Sequence, residues 1–179
     1  DWTVERHRVK IPTLGWIKLK EFGYIPTNAQ VRSGTVSQKA GRYYVSVLCE
    51  VEPKEKTINN HDGIGIDVGI KNFAVCSNTE VYGNINHSSK IRKLEKSLKR
   101  QQRKLSRKYE NKKKSGESCY KNIQKQVKKI QKLHARLTYI RKEYVRDVVT
   151  GVVKTKPSYI TIEDLNIKGM LKNKHIADR

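Results

Sequence analysis

Cysteine is scarce in this sequence, and its spacing excludes two common kinds of stabilisation. Cys49, Cys76 and Cys119 lie far apart along the chain and form no C-x-x-C pair. An odd number of separated thiols argues against a disulfide framework, and structural zinc sites need cysteine or histidine ligands paired at short spacing. We therefore expect three reduced, mostly packed thiols and no bound zinc.

Long apolar runs and several familiar catalytic motifs are also absent. No stretch of 18 apolar residues could span a membrane, and no charged-then-apolar leader opens the chain. No G-x-S-x-G motif is present, so covalent serine catalysis has no support. Gly63, Gly65 and Gly69 miss the dinucleotide-binding fingerprint because the third glycine comes one residue late and no helix is predicted to open there.

Methionine is almost missing, and acidic residues are heavily outnumbered. The 179 residues lack an initiator Met and contain only Met170, so we expect a piece of a longer protein that forms one large or two small domains. Lys and Arg number 39 against 17 Asp and Glu, which gives a net charge of +22. A surplus of this size predicts a polyanionic partner.

Most of the positive charge lies in one segment. Between Ser88 and Thr150 there are 22 Lys/Arg and 5 Asp/Glu, so this segment carries +17 of the +22. Few aromatic residues are interleaved, and we expect contacts with phosphates rather than stacking on bases. The alternative is a basic coiled coil that only mediates association.

The same segment has the periodicity of two amphipathic helices. Ser88 or Ser89 is a plausible N-cap, and Asn111–Ser118 interrupts the pattern, which predicts an antiparallel helical hairpin over 88–150. The first helix would have about 20 residues and a length of about 30 Å. Apolar residues recur at steps of three and four at Ile91, Leu94, Leu98, Leu105, Tyr109, Ile123, Val127, Ile130, Leu137, Tyr144 and Val148.

Residues 1–58 read as short β-strands. Gln30–Ser37 and Arg42–Glu52 form a predicted hairpin, with Lys39-Ala40-Gly41 as its turn. Short antiparallel strands of this kind are typical of a small barrel, and the alternative is a structural sheet with a solvated basic face. The polar segment Glu52–Asp62 reads as a linker.

Two predicted strands end on carboxylates. Ile64–Asp67 is expected to be buried on both faces of a sheet, where a charge is costly unless it is paired or binds a metal. Tyr159–Asp164 again ends on acids, and if the two strands are parallel neighbours their ends lie about 4.8 Å apart. Asp67 and Glu163 could then face one divalent cation, whereas a structural pairing of either acid with a nearby lysine is the alternative.

The order of these elements is that of an RNase H-like fold: a strand ending in an acid, a hairpin, helices, and a second acidic strand. Actin-like and sugar-kinase ATPases share this topology, but they need further glycine-rich loops that this chain lacks. Three motifs in order resemble the TnpB (OrfB) proteins of insertion sequences, which are related to type V CRISPR effectors. They are GIDVGIKNFA, IRKLEKSLKRQQRKLSRK (91–108) and ITIEDLNIKGMLKN (160–173).

The resemblance implies a mixed α/β chain with two domains. Residues 1–58 would be part of a small antiparallel β-barrel that binds oligonucleotides, and 59–179 a RuvC-like nuclease domain with the basic hairpin inserted. The function implied is RNA-guided DNA cleavage with two Mg²⁺ ions, with DNA and guide RNA as partners and a cytoplasmic, nucleoid-associated location. The alternative is a truncated, non-catalytic module that binds nucleic acid.

The resemblance also assigns residues. Asp67 and Glu163 would be catalytic and would hold Mg²⁺, but the third acid of the family's site and its zinc cysteines have no counterpart in this sequence, so we expect the chain alone to be impaired or inactive. The residues expected to contact nucleic acid are Lys18, Lys20, Arg32, Lys71, Asn72, Arg92, Lys93, Lys96, Arg100, Arg103, Lys104, Arg107, Lys125, Lys128 and Lys129.

Overall fold

The protein has a mixed α/β fold, as predicted from the sequence. The computed structural model describes residues 1–26, 29–51, 61–115 and 120–165. The chain divides into two compact units, residues 1–56 and 57–179. Each unit is considered separately below.

The first unit consists of short antiparallel strands. They are β1 (Thr3–Val4), β2 (Arg8–Ile11), β3 (Gly15–Lys18), β4 (Gln30–Lys39) and β5 (Arg42–Glu50). The first three form one sheet in the order β1-β2-β3, and β4 and β5 form a separate hairpin, so within the described ranges these strands make two sheets and no closed barrel. Ala40 and Gly41 both have positive φ, 52° and 76°, and form a tight two-residue turn between β4 and β5. The predicted turn also included Lys39, which is instead the last residue of β4 and pairs with Arg42.

A small apolar core stabilises this unit. Val4, Val9 and Ile11 are buried in it, and the Trp2 side chain packs against them. Gly34 of β4 lies under the indole, where an added Cβ would stand 2.7 Å from three ring carbons of Trp2. Glycine is therefore required at this position by the close approach of the ring.

The second unit is organised on a four-stranded mixed sheet. Its strands are β6 (Ile64–Asp67), β7 (Asn72–Cys76), β8 (Val81–Gly83) and β9 (Ile160–Ile162). Their order is β8-β7-β6-β9, and β6 is antiparallel to β7 and parallel to β9. The parallel pairing of the two acidic strands, predicted from the sequence, is confirmed by the register Ile64↔Ile160 to Ile66↔Ile162.

Two long helices are inserted between β8 and β9. A 3₁₀ turn, Ile85–His87, leads into α1 (Ser89–Ser115), and α2 (Tyr120–Lys154) returns to the sheet. Ser88 caps α1, since its Oγ accepts a hydrogen bond from the Ile91 amide at 3.4 Å. The helices are about 40 and 52 Å long at 1.5 Å per residue, so the first is longer than predicted.

The predicted helix ends were wrong at two places. α1 continues through Lys112–Lys114. The reason is that Asn and Lys interrupt the apolar pattern but do not end a helix. α2 continues past Thr150 to Lys154 and includes Gly151. A Cβ at Gly151 would stand 2.7 Å from the Tyr82 hydroxyl, so the glycine gives α2 room to lie on the sheet.

The helical hairpin has its own apolar seam. Ile91, Leu98 and Leu137 form its buried cluster. The buried Gln126 amide donates to the backbone oxygen of Gln101 at 3.0 Å and to its Oε1 at 2.9 Å. A buried polar side chain with satisfied hydrogen bonds fixes the register between the two helices.

The C-terminal half of α2 packs on one face of the sheet. Val152 lies in a cluster with Ile64 and Cys76. The Tyr144 hydroxyl donates to the Gly83 carbonyl, and its ring meets Phe73 edge-on with centroids 5.5 Å apart. α2 therefore covers the face formed by Ile64 and Cys76, and not the opposite face of the sheet.

We expect the thiol of Cys76 to resist alkylation. Burial raises its pKa, and the nearby Glu80 carboxylate raises it further, so less thiolate is present at neutral pH. At about pH 8, iodoacetamide should modify Cys76 at least about tenfold more slowly than the half-buried Cys49 of β5, as measured by peptide mass spectrometry. Unfolding in urea should abolish the difference. Equal rates in the folded protein would show that α2 does not cover Cys76.

Candidate metal and nucleic-acid sites

The sheet brings the two predicted acids to neighbouring positions. Ile66 pairs with Ile162 across the parallel β6 and β9. Asp67 is the last residue of β6, and Glu163 directly follows the last residue of β9. Positions in register on neighbouring strands lie about 4.8 Å apart, and their side chains project from the same face. Asp67 and Glu163 thus each follow a paired residue, Ile66 or Ile162, at the carboxyl ends of the strands.

Both acids line one cavity. Its volume is about 500 Å³, and three strands contribute to it. Ser77, at the end of β7, accepts a hydrogen bond from the Gly65 amide at 3.1 Å, which ties this edge of the cavity to β6. The lining residues are Gly65, Ile66, Asp67, Val75, Cys76, Ser77, Thr161, Ile162 and Glu163.

The prediction that the Asp67 strand is buried on both faces was wrong. Ile64 is buried, but Asp67 and Glu163 are exposed. The reason is that α2 covers only the opposite face. The cost of burying a charge therefore does not require Asp67 to bind a metal, and the case for a shared ligand site depends on the strand register.

The two carboxylates suit a hard divalent cation, although two ligands are few for a metal site. Carboxylate oxygens are the ligands that Mg²⁺ prefers, and two of them fit a single ion. Within residues 1–26, 29–51, 61–115 and 120–165, no group of three or more His, Cys, Asp or Glu side chains is placed to hold a metal. A stronger site needs ligands from outside these residues.

Lys71 and Asn72 follow the first acid but do not line the cavity. Lys71 is exposed in the connection from β6 to β7, and Asn72 is the partly buried first residue of β7.

The predicted cations of the helical hairpin are all exposed. At 100° per residue, Lys93, Lys96, Arg100, Arg103, Lys104 and Arg107 fall within an arc of about 100° on α1, opposite its apolar stripe. In the described part of the chain none of the predicted hairpin cations has an acidic partner, because the ion pairs there use Arg141 with Glu95 and Arg146 with Glu143. The other exposed cations of this set are Arg92, Lys125, Lys128 and Lys129.

The first unit presents its cations differently. Lys18 and Lys20, which were predicted to contact nucleic acid, are exposed. Arg32 is exposed too, but its Nη2 lies 2.6 Å from Glu50 Oε2, so its charge is compensated within the β4–β5 hairpin.

Sequence analysis missed Arg8, Lys10 and Trp16, which share a face with Lys18. The register pairs Arg8 with Lys18 and Lys10 with Trp16, and paired residues of an antiparallel sheet project from one face. The guanidinium carbon of Arg8 lies 4.5 Å from the Trp16 ring centroid. The alternation of Trp16 and Lys18 was the available signal, but only the pairing with β2 brings the other two cations to the ring.

None of the described helices combines the length and apolar character that crossing a bilayer requires.

Comparisons with known proteins identify the family to which this chain belongs. Residues 46–174 match the OrfB_IS605 family model, described as "Probable transposase". A protein of Escherichia coli (strain K12), provisionally named RNA-guided DNA endonuclease InsQ, is 33% identical over 169 residues, 94% of this chain and 39% of the relative. A Streptomyces pristinaespiralis protein, provisionally named RNA-guided DNA endonuclease, is 32% identical over 156 residues, 86% of this chain and 35% of the relative. This chain thus spans well under half the length of these relatives, and it belongs to the TnpB (OrfB) family.

Proposed function

We propose that this chain forms part of a transposon-associated, RNA-guided DNA endonuclease that hydrolyses phosphodiesters with bound Mg²⁺. The observation that supports this proposal is that Asp67 and Glu163 line one cavity, each directly after a residue paired in the parallel register of β6 and β9. Two carboxylates at adjacent strand ends are a natural start for a metal-dependent nuclease centre. The names of the two relatives agree with this activity.

The proposed division of labour follows the two predicted domains. Residues 59–179 are the RuvC-like nuclease domain with its inserted hairpin, and residues 1–58 bind oligonucleotide. DNA and guide RNA are the proposed partners, in keeping with the net charge of +22 and with the relatives' names. In such a complex, guide pairing selects the sequence while the protein contacts the backbone.

Asp67 and Glu163 hold the metal in this proposal. When bound, Mg²⁺ activates a water molecule and stabilises charge at the scissile phosphate. The exposed row of cations on α1 binds the phosphates of the nucleic acid and lowers the repulsion between its backbone and the acidic site. Among the described residues, Asp67 and Glu163 are exposed, as a site that binds a nucleic-acid strand requires.

Two carboxylates alone hold a metal weakly. A two-metal centre carries four positive charges, which Asp67 and Glu163 offset only by half. Further ligands must then come from outside the described residues. The 179-residue chain should therefore bind divalent ions at roughly millimolar concentration and cleave DNA slowly or not at all.

Metal binding tests the proposal directly. Titration with Mn²⁺, followed by electron paramagnetic resonance, should show weak binding to the chain that Asp67→Asn or Glu163→Gln weakens at least about tenfold, since each removes a charge-assisted contact. Asp164→Asn removes the same charge one residue along and outside the lining of the cavity, so it should leave binding unchanged. Equal losses in all three variants would indicate a nonspecific acidic surface and would contradict a shared site.

Cleavage separates this proposal from a non-catalytic binding module. Any cutting of DNA in millimolar Mg²⁺ should disappear in Asp67→Asn and persist in Asp164→Asn. Binding that is strong and salt-sensitive, but unaffected by Mg²⁺ and by both acid substitutions, would favour the non-catalytic module.

A further inference from the structure

The outward face of the β2–β3 hairpin carries an aromatic ring surrounded by cations. Trp16 is 43% exposed, directly opposite Lys10 and two residues from Lys18 on the same strand face. Two residues along a strand correspond to about 7 Å, so both lysines lie within reach of a ligand placed on the ring. In the described part of the chain neither lysine has an ion-pair partner.

The ring is held in place by a chain of contacts. Glu5 accepts two hydrogen bonds from Arg8, at 2.6 Å from Nε and 2.9 Å from Nη2. Arg8 in turn places its guanidinium 4.5 Å from the Trp16 centroid. Because Glu5 compensates the charge of Arg8, this arginine supports the ring, and the uncompensated charges are those of Lys10 and Lys18.

A sheet with only a structural role does not require an exposed aromatic ring that is held in a fixed position. The core of the unit lies on the opposite face, where Val9 and Ile11 are buried. A fixed aromatic ring binds a flat partner at a smaller entropic cost than a mobile one. Flanking ammonium groups require that the partner also carry negative charge.

We propose that Trp16 stacks on an unpaired base of a single-stranded nucleic acid while Lys10 and Lys18 bind the adjoining phosphates. This stacking contact rests on the proposed function and adds to it a specific interaction within residues 1–58. Every nucleobase has a stacking face, so this contact tolerates any sequence and requires only that the base be unpaired. It differs from the helical cations, which contact the backbone of paired and unpaired strands alike.

Intrinsic fluorescence reports on this ring, since Trp2 and Trp16 are the only tryptophans and Trp2 packs against the core. Oligouridylate should quench the fluorescence of the whole chain, and Trp16→Phe should abolish the quenching while keeping most of the affinity. Trp16→Ala should weaken binding roughly 5- to 100-fold, the usual range for loss of one stacking platform. Leu14→Ala, which removes an exposed apolar side chain from the turn of the same hairpin, is the matched control and should bind like wild type.

The choice of oligonucleotide makes the test specific. Trp16→Ala should leave binding to an abasic strand of equal length within about twofold of wild type, and comparison of oligouridylate with oligothymidylate shows whether RNA or DNA is preferred. Trp16→Ala binding oligouridylate like wild type, or losing equal affinity for the abasic strand, would overturn the stacking proposal. If the stacking proposal fails in this way while charge variants of α1 still weaken binding, the proposed function stands. If the wild-type chain binds no nucleic acid at all, the stacking proposal and the proposed function both fail.

Discussion

Replacing Lys96, Arg100 and Arg103 together by glutamine is expected to weaken binding to duplex DNA about 100-fold at 0.1 M salt. These residues lie within the exposed cationic arc of α1 and have no acidic partner among the described residues. Each phosphate contact releases counterions, and the slope of log K against log salt changes by about 0.9 per contact. The triple variant should therefore lower the magnitude of this slope by about 2.7, measured by fluorescence anisotropy between 50 and 200 mM salt.

A control with the same net charge separates geometry from bulk electrostatics. Lys112, Lys113 and Lys114 lie in the last turn of α1 at consecutive positions, which point in different directions around the helix. Their replacement by glutamine should weaken binding much less and change the slope by about 1 at most. Glutamine is a good helix former, so circular dichroism should show equal helicity in both variants. Equal losses of affinity would mean that net charge, rather than the arc, determines binding.

The helical hairpin and the acidic strands were the parts of the fold most readable from the sequence. Apolar residues at steps of three and four specify one face of a helix, whatever that face packs against. The contact of Ile91 in α1 with the apolar face of α2 follows that pattern. The parallel pairing of β6 with β9 was predictable because a long insertion returns the chain to a strand of the same character.

Other features depended on tertiary contacts that the sequence does not display. The exposure of Asp67 depends on which face of the sheet α2 covers, and strand patterning alone does not specify that choice. The reason for a glycine at position 151 of α2 is the Tyr82 hydroxyl, which would lie 2.7 Å from an added Cβ. The cationic frame of Trp16 exists only because the β2–β3 register brings Lys10 opposite the ring.

Truncating Ile91 to alanine is expected to lower the stability of the helical hairpin by about 2–5 kcal/mol. Ile91 is fully buried, with 0% of its surface exposed, among Leu98, Leu137 and the side chain of Ile85. The loss combines the transfer free energy of the missing methyl groups with the cavity they leave behind. Thermal melts followed by circular dichroism should show a midpoint lower by at least about 8 °C.

The matched control lies on the same helix. Tyr109→Ala removes a larger side chain from a position that is 46% exposed, so it should cost about 1 kcal/mol or less. Because the cationic arc depends on a rigid α1, Ile91→Ala should also weaken DNA binding at temperatures where the hairpin has begun to melt, and should bind normally well below them. If Ile91→Ala melts like wild type, Ile91 is not packed as described. The rigidity of the helix that carries the cationic arc would then have to come from other contacts between α1 and α2.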